Sequence, residues 1–148
     1  MSIPSEIITQ LQSDFQIEVF GSQPIDGGCI HHAFQVQGQN GLFFLNYNHL
    51  HEAHNFEVEE KGLNVLRQTQ TLSIPQVIGR GQTAQHAYLL LEYVPGGQRN
   101  QHFWEDLGKG LAQLHLHTQN TFGLGHDNYI GALPQSNSAR SDWATFFQ

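Results

Sequence analysis

A glutamate on the apolar side of an amphipathic helix is the residue of this chain that most needs a chemical explanation. Phe56, Leu63 and Leu66 recur at helical spacing, and Glu59 falls on their side, three residues after Phe56 and four before Leu63. A carboxylate placed there is costly to bury unless it is paired or hydrogen-bonded. The segment before it, 42–48 (LFFLNYN), alternates as a strand. Leu42, Phe44, Asn46 and Asn48 point to one face, and Phe43, Leu45 and Tyr47 to the other. Asn46 is therefore a strand-borne polar group within the same strand–turn–helix stretch, available as a partner for Glu59.

Three other groups of residues carry chemistry in principle. Gly27 and Gly28 lie between two strand candidates and run into Cys29 and Ile30. A glycine hairpin lets backbone N–H groups approach phosphates, and it also serves as an ordinary tight turn. Glu92, Tyr93 and Val94 close an apolar strand just before Pro95-Gly96-Gly97. They either present backbone N–H and C=O groups to an adenine or simply end the strand. Ten histidines invite a metal reading, and His49, His51 and His54 lie within six positions. Their spacing gives no i, i+4 pair of the kind helical zinc sites use, and His115 and His117 diverge at a helix end. The histidines read as solvated or structural, and no metal site is expected.

These residues need elements to hold them. Residues 4–13 read as a helix, with Ser2 as a cap, Pro4 in the first turn and Ile7, Ile8 and Leu11 on its apolar side. Residues 17–20 read as a short strand. Ile30, His32, Phe34 and Val36 alternate on one face of the next, and the turn GQNG at 38–41 leads to the strand 42–48. Pro75 ends the helix region, and 76–81 and 87–94 read as another strand pair. The second of these is continuously apolar and so interior. Pro95-Gly96-Gly97 marks a hinge. Beyond it Phe103, Leu107, Leu111 and Leu114 form a helix face, 120–138 reads as loop, and 139–148 is an amphipathic stretch with Trp143, Phe146 and Phe147. Apolar side chains of that kind call for a covering surface, either a homodimer or a missing partner lobe.

Composition narrows the function classes. The chain has 148 residues, 39% hydrophobic and 13% charged, enough for a sizeable core. Six Lys and Arg against thirteen Asp and Glu give −7, which argues against a nucleic-acid partner. No apolar run is long enough to span a membrane. The N-terminus lacks secretory features, and a single cysteine, Cys29, excludes an internal disulfide and fits a reducing cytoplasm.

Taken in order, GGCIHHAF (27–34), FFLNYN (43–48), FEVEEKGLNVL (56–66), IPQVIGRG (74–81), YLLLEYVPGG (88–97), LGKGLAQLH (107–115), FGLGHDNYIG (122–131), PQSN (134–137) and DWATFF (142–147) resemble the fructosamine kinase (ketosamine-3-kinase) family, within the protein-kinase-like, aminoglycoside-phosphotransferase-like fold. The resemblance implies an α+β fold: a nucleotide-binding lobe over 1–94, built as a five-stranded antiparallel sheet plus helix, then a hinge and part of a second lobe over 95–148. It implies ATP and Mg²⁺ as cofactors and a small glycated amine, a fructosamine or ribulosamine, as the group phosphorylated in deglycation repair. Gly27, Gly28, Cys29 and Ile30 match the phosphate-covering hairpin, Glu59 the helix glutamate, and Glu92, Tyr93 and Val94 the adenine-contacting hinge. Asn128 and the 134–137 loop match a segment bordering the sugar site.

Three departures accompany the match. The family has a lysine where this chain has Asn46, an amide that can hydrogen-bond Glu59 but brings no charge to the phosphates. Ala139 stands where a tryptophan is usual. The chain stops before the family's catalytic loop and metal-binding aspartate, so no catalytic residue is assigned. The expectation is a ketosamine kinase-like chain inactive on its own. The alternative is a pseudokinase-like binding or oligomerisation module without phosphotransfer.

Overall fold

The computed structural model describes residues 2–26 and 31–148. By contact density the chain divides into two compact units, residues 1–63 with 75–95 and residues 64–74 with 96–148.

The first unit is an α–β–α sandwich. Helix α1 (Ser5–Phe15) is followed by strands β1 (Val19–Pro24), β2 (His32–Gly38) and β3 (Gly41–His49), a single 3-10 turn at Leu50–Glu52, helix α2 (Ala53–Gln68), which runs on into the second unit's residues, and strands β4 (Val77–Gln82) and β5 (His86–Glu92). The five strands form one antiparallel sheet in the order β1-β2-β3-β5-β4. This is the five-stranded antiparallel sheet plus helix that the resemblance implies. The β2–β3 hairpin closes through Gln39 and Asn40 between the paired Gly38 and Gly41, and Gly41 at φ 129° occupies a backbone region that favours glycine.

Side-chain alternation splits the core into two layers. On one side of the sheet, Leu45, Tyr47, Tyr88, Leu90, Phe34 and Val36 pack with Ile7 and Leu11 of α1. On the other, Ala87, Leu89 and Leu91 of β5, with Phe44 of β3, pack with Phe56 and Leu63 of α2. Strand β5 is buried on both faces from Ala87 to Leu91, as its unbroken apolar run requires.

Several boundaries differ from the sequence expectation. Pro4 is the N-cap of α1 rather than part of its first turn, and no side chain caps it, so Ser2 does not serve. The helix runs to Phe15 because Gln16 in the left-handed conformation (φ 56°) donates its N–H to Leu11 O. Strand β1 begins at Val19 and continues to Pro24, past a bulge at Phe20. On α2, Leu66 is exposed and Val58, off the predicted stripe, is buried.

The second unit contains α3 (Phe103–His115), a hairpin of β6 (Asn128–Ile130) and β7 (Leu133–Gln135), and the single-turn α4 (Trp143–Phe146). The hairpin lies inside the stretch predicted to be loop. Its strands are three residues long, too short for alternation to register, and Gly131 (φ 64°) sits in the turn between them. The amphipathic stretch 139–148 is helical for only four residues, capped by Asp142, whose carboxylate accepts from Thr145 N at 3.0 Å.

Candidate functional site

The end of β5 opens onto a pocket of about 330 Å³ lined by Ile25, Phe44, Pro75, Leu91, Glu92, Tyr93 and Val94. All seven residues belong to the first unit. The volume lies at the lower end of the roughly 300–1,000 Å³ usual for small-molecule sites, and the lining is mostly apolar with a polar rim. The rim is the predicted Glu92-Tyr93-Val94 segment. Glu92 is spoken for: its N–H donates to Gln76 O at 2.8 Å, and its carboxylate accepts from Gln76 N at 3.1 Å. Tyr93 and Val94 form no backbone hydrogen bond outside the sheet ladder among the described residues. Their N–H and C=O groups are therefore open to a planar ligand that carries both a donor and an acceptor along one edge. Sequence reasoning missed Ile25, Phe44, Pro75 and Leu91. The available signal was Phe44 and Leu91 alternating onto the α2 side of adjacent strands, where they are register partners.

Asn46 and Glu59 are both half-buried. Asn46 lies on β3 two residues from Phe44 and pairs in register with Leu89 of β5, which places it on the sheet face that α2 covers. Neither residue forms a side-chain hydrogen bond or ion pair among the described residues, so the amide does not take up the carboxylate. Burial pushes the Glu59 carboxyl above its ordinary value of 4.5. The neighbouring cations are committed elsewhere: Lys61 to Glu57 at 2.6 Å and Arg80 to Glu60 at 2.7 Å.

At the start of β2, Asn48 Nδ2 donates to His31 Nδ1 at 3.1 Å, and the His31 ring packs on Phe56 of α2 at 4.7 Å between centroids. Burial holds the His31 imidazole below its usual range, against the pull of Glu52. His31 thus ties the start of β2 to β3 and α2. The predicted hairpin residues Gly27, Gly28, Cys29 and Ile30 lie outside the described residues.

The 122–138 segment is pinned by one buried amide. Asn137 donates its backbone N–H to Asp127 Oδ1 at 2.7 Å, and its side-chain Nδ2 to Asn128 Oδ1 at 2.9 Å and His126 O at 3.2 Å. Asn128 is therefore in direct contact with Asn137 of the 134–137 loop, the segment matched with it in the sequence. Among the described residues, no group of three or more His, Cys, Asp or Glu side chains is placed to hold a metal ion.

A half-buried glutamate on a helix laid across a five-stranded antiparallel sheet, with an apolar pocket at the end of β5, is the N-terminal-lobe architecture of kinase-like proteins. The fructosamine kinase family model matches residues 1–148. The chain belongs to the fructosamine kinase family. It is 36% identical over 124 residues to a Synechocystis protein named probable ketoamine kinase slr1563, covering 83% of this chain and 42% of that one. It is 35% identical over 136 residues to the chloroplastic protein-ribulosamine 3-kinase of Arabidopsis thaliana, covering 89% and 40%. A Haemophilus somnus protein assigned as a fructosamine-3-kinase shares the fold, with a TM-score of 0.86 at 24% identity over 95% of this chain and 49% of that one. The chain spans about half the length of the relatives it matches.

Proposed function

We propose that this chain supplies the nucleotide-binding half of a ketosamine kinase, with residues 1–94 as the nucleotide lobe and 95–148 as the hinge and part of the second lobe. The purine ring of ATP would occupy the pocket under Tyr93 and Val94. The observation that carries this reading is the pairing of an apolar slot of about 330 Å³ with the open backbone edge of Tyr93 and Val94. Mg-ATP would supply the transferred phosphoryl group, and a small glycated amine, as in the names of the relatives, would receive it.

This chain's own residues cover the first part of that task and not the last. Phe44, Leu91 and Ile25 enclose a flat ring, and the Tyr93 and Val94 main chain gives it direction. Gly27 to Ile30 are the proposed cover over the phosphates. Asn46 stands where the resemblance places a lysine, and losing a charge-assisted contact costs roughly 1.5–3 kcal/mol of binding. Phosphoryl transfer is chiefly positioning and electrostatic stabilisation, and no residue of this chain is assigned as base or metal ligand. The reading therefore holds the 148-residue chain inactive alone, and it places the chain in the cytoplasm.

Two measurements test the reading. An amide-resolved NMR titration with adenosine should shift the Tyr93 and Val94 resonances, whereas a titration leaving those amides unmoved contradicts the purine site. A phosphorylation assay on a fructosamine should show no turnover by the isolated chain, and turnover contradicts the inactive assignment. The second reading, a binding or oligomerisation module without phosphotransfer, draws on the absence of a cation at Glu59 among the described residues.

A further inference from the structure

Among the described residues, no Lys, Arg or His meets the Glu59 carboxylate. Glu59 lies on α2 three residues after Phe56 and four before Leu63, and both of those side chains pack in one cluster with Phe44 and Leu91. Phe44 and Leu91 in turn line the pocket at the end of β5. Asn46 follows Phe44 on the same face of β3, on the side away from Glu92. Two residues of strand span about 7 Å, a length comparable with a ribose. A carboxylate and an amide, both without an internal partner, thus sit beside the apolar cluster that gives the pocket two of its walls.

The chain has no counter-charge left to give. All six Lys and Arg side chains are engaged elsewhere, and residues 27–30 bring none. His31 packs on Phe56, but burial holds its imidazole toward the neutral form, and the carboxylate acting on it is Glu52. Burial likewise pushes the Glu59 carboxyl upward, as it does for an ion left without compensation. A bare metal ion is a poor answer. No three His, Cys, Asp or Glu side chains among the described residues are placed to hold one, and hard cations take six or more oxygen ligands. An organic ammonium asks for less: its N–H groups donate to one carboxylate and one amide oxygen. The net charge of −7 favours a cation's approach in the same sense.

We propose that the occupant this site prefers is a purine nucleoside bearing an ammonium group where a nucleotide bears its phosphate, with the ring under Tyr93 and Val94 and the ammonium at Glu59 and Asn46. The assignment rests on the purine pocket proposed above and adds the charge that the pocket selects. A lysine at position 46 would favour phosphate. The amide with an unneutralised carboxylate across from it favours a cation and repels an anion.

Calorimetric titration of the 148-residue chain with three probes, at neutral pH and low salt, tests this. The probes are 5′-amino-5′-deoxyadenosine, adenosine and adenosine 5′-monophosphate. The amine should bind about tenfold tighter than adenosine, the size of one charge-assisted contact, and the monophosphate should bind weakest. Glu59→Gln should bring the amine and adenosine to parity. Glu57→Gln removes the same charge from α2, at a carboxylate already paired to Lys61, and should keep the amine's advantage. An amine no tighter than adenosine overturns the inference and leaves the purine site standing. So does an advantage that survives Glu59→Gln or disappears in Glu57→Gln, which would trace it to net charge. Adenosine binding that Mg²⁺ alone tightens, and only while Glu59 is present, makes the cation a metal and overturns it as well. Absence of adenosine binding overturns the purine pocket itself and this assignment with it.

Discussion

Glu59 is half-buried on α2, its carboxyl is pushed upward by burial, and among the described residues no cation meets it. The sign of its effect on stability follows from proton binding. Below the ordinary value of 4.5 the carboxyl is protonated in folded and unfolded chains alike. As pH rises past that value the unfolded chain releases the proton first, so stability falls until the folded-state carboxyl has also ionised. Glu59→Gln removes the titration. It should leave stability unchanged at pH 4 and raise the neutral-pH melting temperature, each kcal/mol gained reading as about 2–4 °C in a chain of this size. Thermal unfolding at the two pH values checks both statements. The position of Glu59 was legible in the sequence, because helical period alone puts it beside Phe56. Its lack of a bond to Asn46 was not legible, because periodicity assigns faces and says nothing of distance across a sheet–helix interface.

Among the elements, the long ones were readable and the short ones were not. Strand β5 announces itself as an unbroken apolar run, and the β2–β3 hairpin as alternation around a glycine-flanked turn. Strands β6 and β7 offered three residues each, and the Asn137 amide that bonds Asn128 is a contact with no sequence period. Strand β4 carries a constraint that is equally hidden. A Cβ added at Gly81 would lie 2.3 Å from the Tyr88 hydroxyl oxygen, and Tyr88 is fully buried with that oxygen unpartnered among the described residues. Burial pushes the Tyr88 phenol up to about 12. Gly81→Ala must therefore displace a core ring and should destabilise the fold by about 1–3 kcal/mol. Denaturant unfolding with an unchanged slope would show that the loss is in stability.

For the whole molecule, charge is the property that bears most on the proposed nucleotide site. The chain carries only six Lys and Arg residues and a net charge of −7. Lys61, Arg80 and Lys109 are held in ion pairs. Arg67 and Arg140 donate to backbone carbonyls, and Arg99 stacks on Phe103 and Trp104. None is committed to Glu59 or Asn46. On the proposed reading the pocket takes the uncharged ring, and among the described residues no Lys or Arg lines it to oppose a triphosphate. The direct measurement is calorimetric titration of the unmodified chain and of Asn46→Lys with adenosine and with Mg-ATP. The account predicts that the unmodified chain binds Mg-ATP weakly and no tighter than adenosine. It also predicts that Asn46→Lys tightens Mg-ATP alone by about tenfold or more, as a charge-assisted contact of roughly 1.5–3 kcal/mol requires. Mg-ATP binding to the unmodified chain at least about tenfold tighter than adenosine, a difference of about 1.4 kcal/mol, would contradict it.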